Sequence, residues 1–171
     1  MPNPNTGRFG RLVWLWLTLA VLVLDQATKL YFDSALADGR EISVIPGLLS
    51  WLLAYNTGAA FSFLSDSAGW QRWLFAAIAV VVSGILVVWL KRLGRSDTWL
   101  AIALALVLGG ALGNLYDRIA HGHVIDFIFV HWQDAWRFPV FNLADCAISI
   151  GAVMLALDMF KSKKSEEPVH D

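Results

Sequence analysis

Phe141-Asn142-Leu143-Ala144-Asp145 places a carboxylate inside an apolar run that continues through Ala147, Ile148, Val153 and Met154. A charged side chain in a membrane-length segment costs at least ~2.5 to 3.5 kcal/mol on insertion scales, so such residues face a bundle interior and carry function. The reading of the chain turns on whether this run crosses a membrane and on what Asp145 meets there.

The composition answers the first point. Of 171 residues, 57% are hydrophobic and 16% charged, against about 25% charged in soluble domains. Apolar segments at residues 12–32, 73–90, 99–118 and 140–160 are each long enough, at about 1.5 Å per residue, to cross a hydrocarbon core with some tilt. They predict a membrane all-α fold with four transmembrane helices in a single domain over residues 1–160. Outer loops fall at about 33–72 and 119–139, and a polar tail, expected to be disordered, at 161–171. The net charge of -1 gives no support for a nucleic-acid partner. A single cysteine, Cys146, rules out an intrachain disulfide.

Arg8 and Arg11 precede an apolar run, and Ala35-Leu36-Ala37 looks like a small-residue cleavage site, which together invite a signal-peptide reading. Ala37 lies well beyond the apolar core ending at Leu24, with Asp25 and Lys29 between, so the segment is kept as the first helix. Arg8 and Arg11, then Lys91, Arg92 and Arg95, then Lys161, Lys163 and Lys164 fall on one side of four spans. This places both termini in the cytoplasm.

The loop at 33–72 carries an aromatic and apolar run over 48–55, turn residues Asn56-Thr57-Gly58, and a resumed apolar pattern over 59–64. A hairpin turning at Asn56–Gly58 is the expectation. Residues 124–130 of the second loop form a strand-like run, and a small sheet combining both loops is expected.

Counting along the helices puts Asp25 about 20 Å and Asn114 about 22 Å from the inner ends of their helices, and Asp145 about 9 Å below the outer end of its own. All three share one depth, in the outer leaflet. Asn114, Asp117 and Arg118 occupy one face of the third helix, as Asn142 and Asp145 do of the fourth. Asp126 arrives from the intervening loop. The inner halves are almost purely apolar, whereas a transporter or channel places polar groups near the midplane. A site worked on from outside fits better.

Asp126 and Asp145 are the pair with the chemistry. Two close carboxylates share a proton, so one serves as base toward water while the other polarises a carbonyl. The competing reading pairs Asp145 with Arg118 and leaves Asp126 capping a strand. Asp25 and Lys29, at i and i+4, read as an ion pair at the outer end of the helix. Arg118 reads as neutralising carboxylates, and Asp117 as reaching the interface or Arg118. Gly109 and Gly113 suit close helix approach. His121, His123 and His131 match no zinc spacing, and no metal or cofactor is expected.

Five blocks then carry a resemblance: Asp25-Gln26-Ala27-Thr28-Lys29, Tyr55-Asn56-Thr57-Gly58-Ala59-Ala60-Phe61-Ser62, Gly109-Gly110-Ala111-Leu112-Gly113-Asn114-Leu115-Tyr116-Asp117-Arg118, Val124-Ile125-Asp126-Phe127 and Phe141-Asn142-Leu143-Ala144-Asp145. In order and spacing they resemble the bacterial lipoprotein signal peptidases, the type II signal peptidases, over nearly the whole chain. The resemblance implies an aspartic endopeptidase of the inner membrane, with a periplasmic β-cradle and surface helix beside four transmembrane helices. Such an enzyme removes signal peptides from prolipoproteins, cutting before a diacylglyceryl-modified cysteine. It implies Asp126 and Asp145 as catalytic, and Asp25, Asn56, Asn114, Arg118 and Asn142 as supporting residues. The expected partners are the prolipoprotein and membrane lipid, with the enzyme itself a monomer. A small transporter, or a lipid-binding protein without catalysis, would be the alternative.

Overall fold

The computed structural model describes residues 10–58, 69–133 and 135–164. Four helices carry the chain: α1 (Leu15–Ala35), entered through one 3-10 turn at Leu12–Trp14, α2 (Trp70–Arg92), α3 (Thr98–Ala120) and α4 (Leu143–Lys164). All four are long and apolar enough to cross a membrane. Large apolar side chains stand exposed along them, among them Trp16 and Leu30 on α1, Val81 and Ile85 on α2, and Val153 and Leu157 on α4. Such surface is stable only against lipid, since water charges about 25 cal/mol for each Å² of it. The chain is a multi-pass membrane protein.

Helix α3 is the axis of the bundle, packed against α1, α2 and α4. Its small residues allow this. A Cβ on Gly109 would fall 2.7 Å from Val21 Cβ of α1, and one on Gly110 or Gly113 would run into the Ala144 carbonyl or the Asp25 carboxylate. Glycine at these positions lets backbones approach where no apolar driving force separates helix from lipid. The expected packing role of Gly109 and Gly113 is met. At the end away from the loops, Leu86, Leu90, Leu93, Ala101, Leu104 and Leu108 form a buried apolar cluster.

Both long loops contribute to one four-stranded antiparallel sheet in the order β1 (Ile42–Ile45), β2 (Leu49–Asn56), β3 (Val124–Trp132), β4 (Trp136–Arg137). The combined sheet was expected; the hairpin joining β1 and β2 was not. The chain turns at Pro46-Gly47, where the Leu48 amide donates to the Ile45 carbonyl at 3.0 Å and Gly47 has φ 74°. Proline followed by a left-handed glycine is the residue pattern of a type II turn. Asn56 ends β2, which pairs with β1 and with β3 of the distant loop. The expected apolar run at 59–64 falls within residues 59–68, outside the described residues, as does the tail beyond 164. The surface helix implied by the resemblance has no counterpart among the described loop residues.

Phe32 of α1 stacks on Phe127 of β3 at 4.3 Å between ring centres and meets Trp51 of β2 at 4.9 Å. These rings seat the sheet on the end of α1. Strand β3 is buried over its first four residues, so Asp126 is an interior residue although it belongs to a loop connection.

Candidate active site

The start of α4 brings the two aspartates together. Phe141 exchanges backbone hydrogen bonds with Ile128, its amide donating at 3.0 Å and its carbonyl accepting at 2.8 Å. The chain therefore stays extended through Phe141, and α4 begins at Leu143 instead of residue 140. Asn142 is the residue before the helix. Its Oδ1 accepts from the Asp145 amide at 2.9 Å, and Asp145 Oδ2 accepts from the Asn142 amide at 3.2 Å. This reciprocal pair is a capping box, with Asp145 three residues after the cap. Asp145 thus lies in the first turn of α4, not about 9 Å down it as counting suggested.

Asn142 also reaches the other carboxylate. Its Nδ2 donates to Asp126 Oδ1 at 2.6 Å, and further to the Ile125 carbonyl at 3.3 Å and Asn114 Oδ1 at 3.2 Å. One buried asparagine is hydrogen-bonded to both aspartates. Asp126 is 2% exposed, and its Oδ2 accepts from Asn56 Nδ2 at 3.1 Å. Asn56 sits at the end of β2, diagonal to Asp126 across the β2–β3 ladder, where Ala54 is opposite Asp126 and Asn56 opposite Val124. Asp145 Oδ1 accepts from Asn114 Nδ2 at 2.8 Å.

Burial raises the Asp126 pKa from its ordinary 3.8 to about 6, and the Asp145 charge beside it pushes the same way. The Asn56 and Asn142 hydrogen bonds act against this by favouring the ionised form. A carboxyl held near 6 can lend and recover a proton close to neutral pH.

Beneath the pair lies a second layer. Lys29 is fully buried, and its ammonium ion-pairs with Asp25 and Asp117 at 2.8 Å each. Asp25 Oδ1 accepts from the Ala144 amide at 2.9 Å, tying α1 to the first turn of α4. Asp117 Oδ2 accepts from the Ile125 amide at 3.2 Å, and its Oδ1 from Gln26 Nε2 at 2.8 Å. The Asp25–Lys29 ion pair was expected at the outer end of the helix; it forms there and is buried, because Asp117 and Asn114 on α3 face it.

Asp117 was expected at the interface or against Arg118. It turns to Lys29 instead. Arg118 donates to the Asn114 carbonyl at 3.1 Å and lies over the Phe75 ring at 5.4 Å. Among the described residues the cation within ion-pair distance of a buried carboxylate is Lys29, not Arg118, and Asp145 pairs with Asn114 and Asn142. The seven residues picked from sequence, Asp25, Asn56, Asn114, Arg118, Asp126, Asn142 and Asp145, all join one network. Lys29 and Asp117 were undervalued, although Asp117 is three positions beyond Asn114 and so shares its helix face. Among the described residues no group of three or more His, Cys, Asp or Glu is placed to hold a metal ion.

Residues 17–161 match the family described as signal peptidase (SPase) II. The chain is 76% identical, over the full length of both, to a lipoprotein signal peptidase of Pseudomonas putida. To that of Pseudomonas aeruginosa (strain UCBPP-PA14) it is 71% identical over 98% of this chain and 99% of the other. Two solved structures described as bacterial membrane enzymes superpose with TM-scores of 0.79 and 0.76, at 26% and 29% identity. The first covers 93% of this chain and 94% of the other, the second 87% and 93%.

Proposed function

Since the chain belongs to the signal peptidase II family, we propose that it removes the signal peptide from diacylglyceryl-modified prolipoproteins by aspartic chemistry, cutting just before the lipidated cysteine. Asp126 and Asp145 are the catalytic pair. Asn142 carries this reading, because its hydrogen bonds to both carboxylates hold two separate parts of the chain at one reacting site.

The pair shares one proton. The ionised carboxylate takes a proton from water as the water attacks the scissile carbonyl, while the protonated carboxyl donates toward the developing oxyanion. Collapse of the tetrahedral intermediate expels the cysteine amine, which leaves once protonated by the pair. Asn56, Asn114 and Asn142 hold the carboxylates in place by hydrogen bonds; Asp25 fixes the first turn of α4 from below. Arg118, beside Asn114, supports the same wall.

The site lies near the periplasmic face of the bacterial inner membrane, with both termini in the cytoplasm. Lys91, Arg92 and Arg95 gather at the bundle end opposite the sheet, and Arg11 joins them there through its amide bond to the Leu90 carbonyl at 3.1 Å. That asymmetry supports the orientation. A site at the sheet end lets the substrate keep its signal helix and acyl chains in lipid while the scissile bond meets water. The enzyme acts as a monomer, and needs no metal.

The test is conversion of a diacylglyceryl-modified prolipoprotein by purified protein. Asp126→Asn and Asp145→Asn each abolish turnover while the protein still inserts and binds substrate, and a strong chelator leaves the wild type unaffected. Full activity in either variant, or loss to the chelator, contradicts the aspartic reading.

A further inference from the structure

Three asparagines touch the aspartate pair, and each must point its amide nitrogen, not its oxygen, at a carboxylate. A carboxamide has two faces of nearly equal shape, so something must set which one is presented. A group that only donates does so unambiguously, because it bonds the oxygen alone. For Asn56 that group is the Gly58 amide, which donates to Oδ1 at 2.9 Å. For Asn142 it is the Asp145 amide at 2.9 Å. Both are free backbone N–H groups at the end of a strand or the start of a helix.

Asn114 has no such option. It sits within α3, five residues after Gly109 and six before the helix ends at Ala120, where backbone N–H groups are spent on the helix itself. Its Oδ1 accepts instead from Lys29 Nζ at 2.9 Å. An ammonium has three donors and no acceptor. Lys29 uses one each on Asp25, Asp117 and Asn114. With Oδ1 held by Lys29, and also by Asn142 Nδ2 at 3.2 Å, Nδ2 of Asn114 is left facing Asp145 Oδ1 at 2.8 Å.

We propose that Lys29 is a positioning residue for hydrolysis, orienting the Asn114 carboxamide so that its nitrogen anchors the Asp145 carboxylate. This rests on the aspartic reading of Asp126 and Asp145. A purely structural Lys29 would serve only to balance the charges of Asp25 and Asp117, and the two roles separate by charge arithmetic. Lys29→Met leaves two buried carboxylates without a counter-ion. Adding Asp25→Asn restores the net charge of the cluster to that of the wild type but leaves Asn114 without the ammonium, keeping only the longer contact from Asn142, whose own carboxamide does not only donate.

The experiment measures kcat and KM on a diacylglyceryl-modified prolipoprotein, with Tm by tryptophan fluorescence, for Lys29→Met, Lys29→Met/Asp25→Asn, Asp25→Asn and Lys29→Arg. The double variant is expected to regain Tm over Lys29→Met, yet to lose roughly 10- to 100-fold in kcat relative to Asp25→Asn, the range for one hydrogen bond to a charged group. KM should stay within about 3-fold, since the lost contact bears on the reacting pair and not on the substrate. A double variant with kcat equal to that of Asp25→Asn overturns the proposal. Should the Met variants not fold, Lys29→Arg decides, because it keeps the charge while its planar guanidinium cannot place three donors as the ammonium does: a lowered kcat at near-wild-type Tm is expected, and kcat and Tm both unchanged refute the proposal. Turnover in Asp126→Asn and Asp145→Asn would sink the aspartic reading and this inference together. If those two are inactive and the double variant is not impaired, this inference alone fails.

Discussion

Asp126→Asn should make the protein more stable at alkaline pH while removing its activity. The native state holds the Asp126 proton up to about pH 6, whereas the unfolded chain holds it only to the ordinary value of 3.8. Between those values the native state binds more protons, so stability falls as pH rises through the window and stays reduced above it. About two pH units at ~1.36 kcal/mol each put the cost of the ionised, buried Asp126 near 3 kcal/mol at pH 8. Asparagine removes that charge. It also replaces one of two acceptor oxygens with a donor, so either the 2.6 Å bond from Asn142 or the 3.1 Å bond from Asn56 is lost, at about 1 kcal/mol.

The net gain is about 1 to 2 kcal/mol at pH 8, or roughly 2 to 8 °C in Tm for a chain of this size. Below pH 6 the wild-type aspartate becomes neutral in the native state and the advantage shrinks, vanishing or reversing by about pH 4. The nine tryptophans, with Trp51 packed beside Phe127 at 6.1 Å between ring centres, report unfolding in detergent at both pH values. A variant less stable than the wild type at pH 8, or a Tm difference that does not change with pH, would refute the account of Asp126 as a buried carboxyl held out of its preferred state.

Two further substitutions probe the same wall. Asn56→Ala removes a hydrogen bond that favours ionised Asp126, so the Asp126 pKa rises above about 6 and the alkaline limb of the kcat/KM profile moves to higher pH. A shift of roughly half to one pH unit is expected for a bond that water can partly replace, and a limb that moves down or stays in place argues against Asn56 acting on Asp126. Gly113→Ala drives a methyl into the Asp25 carboxylate on the neighbouring helix. It should cost about 1 to 3 kcal/mol of stability, read as a lower Tm, whereas Gly84→Ala, with open space around it, should not.

The four helices were legible because membrane spans announce themselves by length and apolarity, and because Gly109 and Gly113 mark a face of close approach. The pairing of the two outer loops was also legible, from strand-like runs in each. The turn at Pro46-Gly47 was not singled out, because Asn56-Thr57-Gly58 is as turn-forming and only the ladder from β1 to β2 reveals the earlier hairpin. Helix α4 was started too early for a similar reason: Val140 and Phe141 suit a helix by apolarity, but Phe141 is held extended by Ile128.

Which polar residues are out of place can be read from the local chain: a charged or carboxamide side chain in an apolar helix is costly wherever it sits, so Asp25, Asn114 and Asp145 stood out unaided. Partners are a different matter. Asp117 and Arg118 are adjacent, and on spacing either suits a carboxylate pair, yet Asp117 turns inward to Lys29 while Arg118 goes to a carbonyl and a phenyl ring. Lys29 looked like one half of a simple pair with Asp25 at the outer end of its helix, because nothing in that helix reveals that α3 lies against it. Side-chain identity is a property of the chain, but the orientation of a carboxamide, the burial of a lysine and the meeting of Asp126 with Asp145 depend on contacts between segments far apart in sequence. Those arise only when α1, α3, α4 and β3 close on one another.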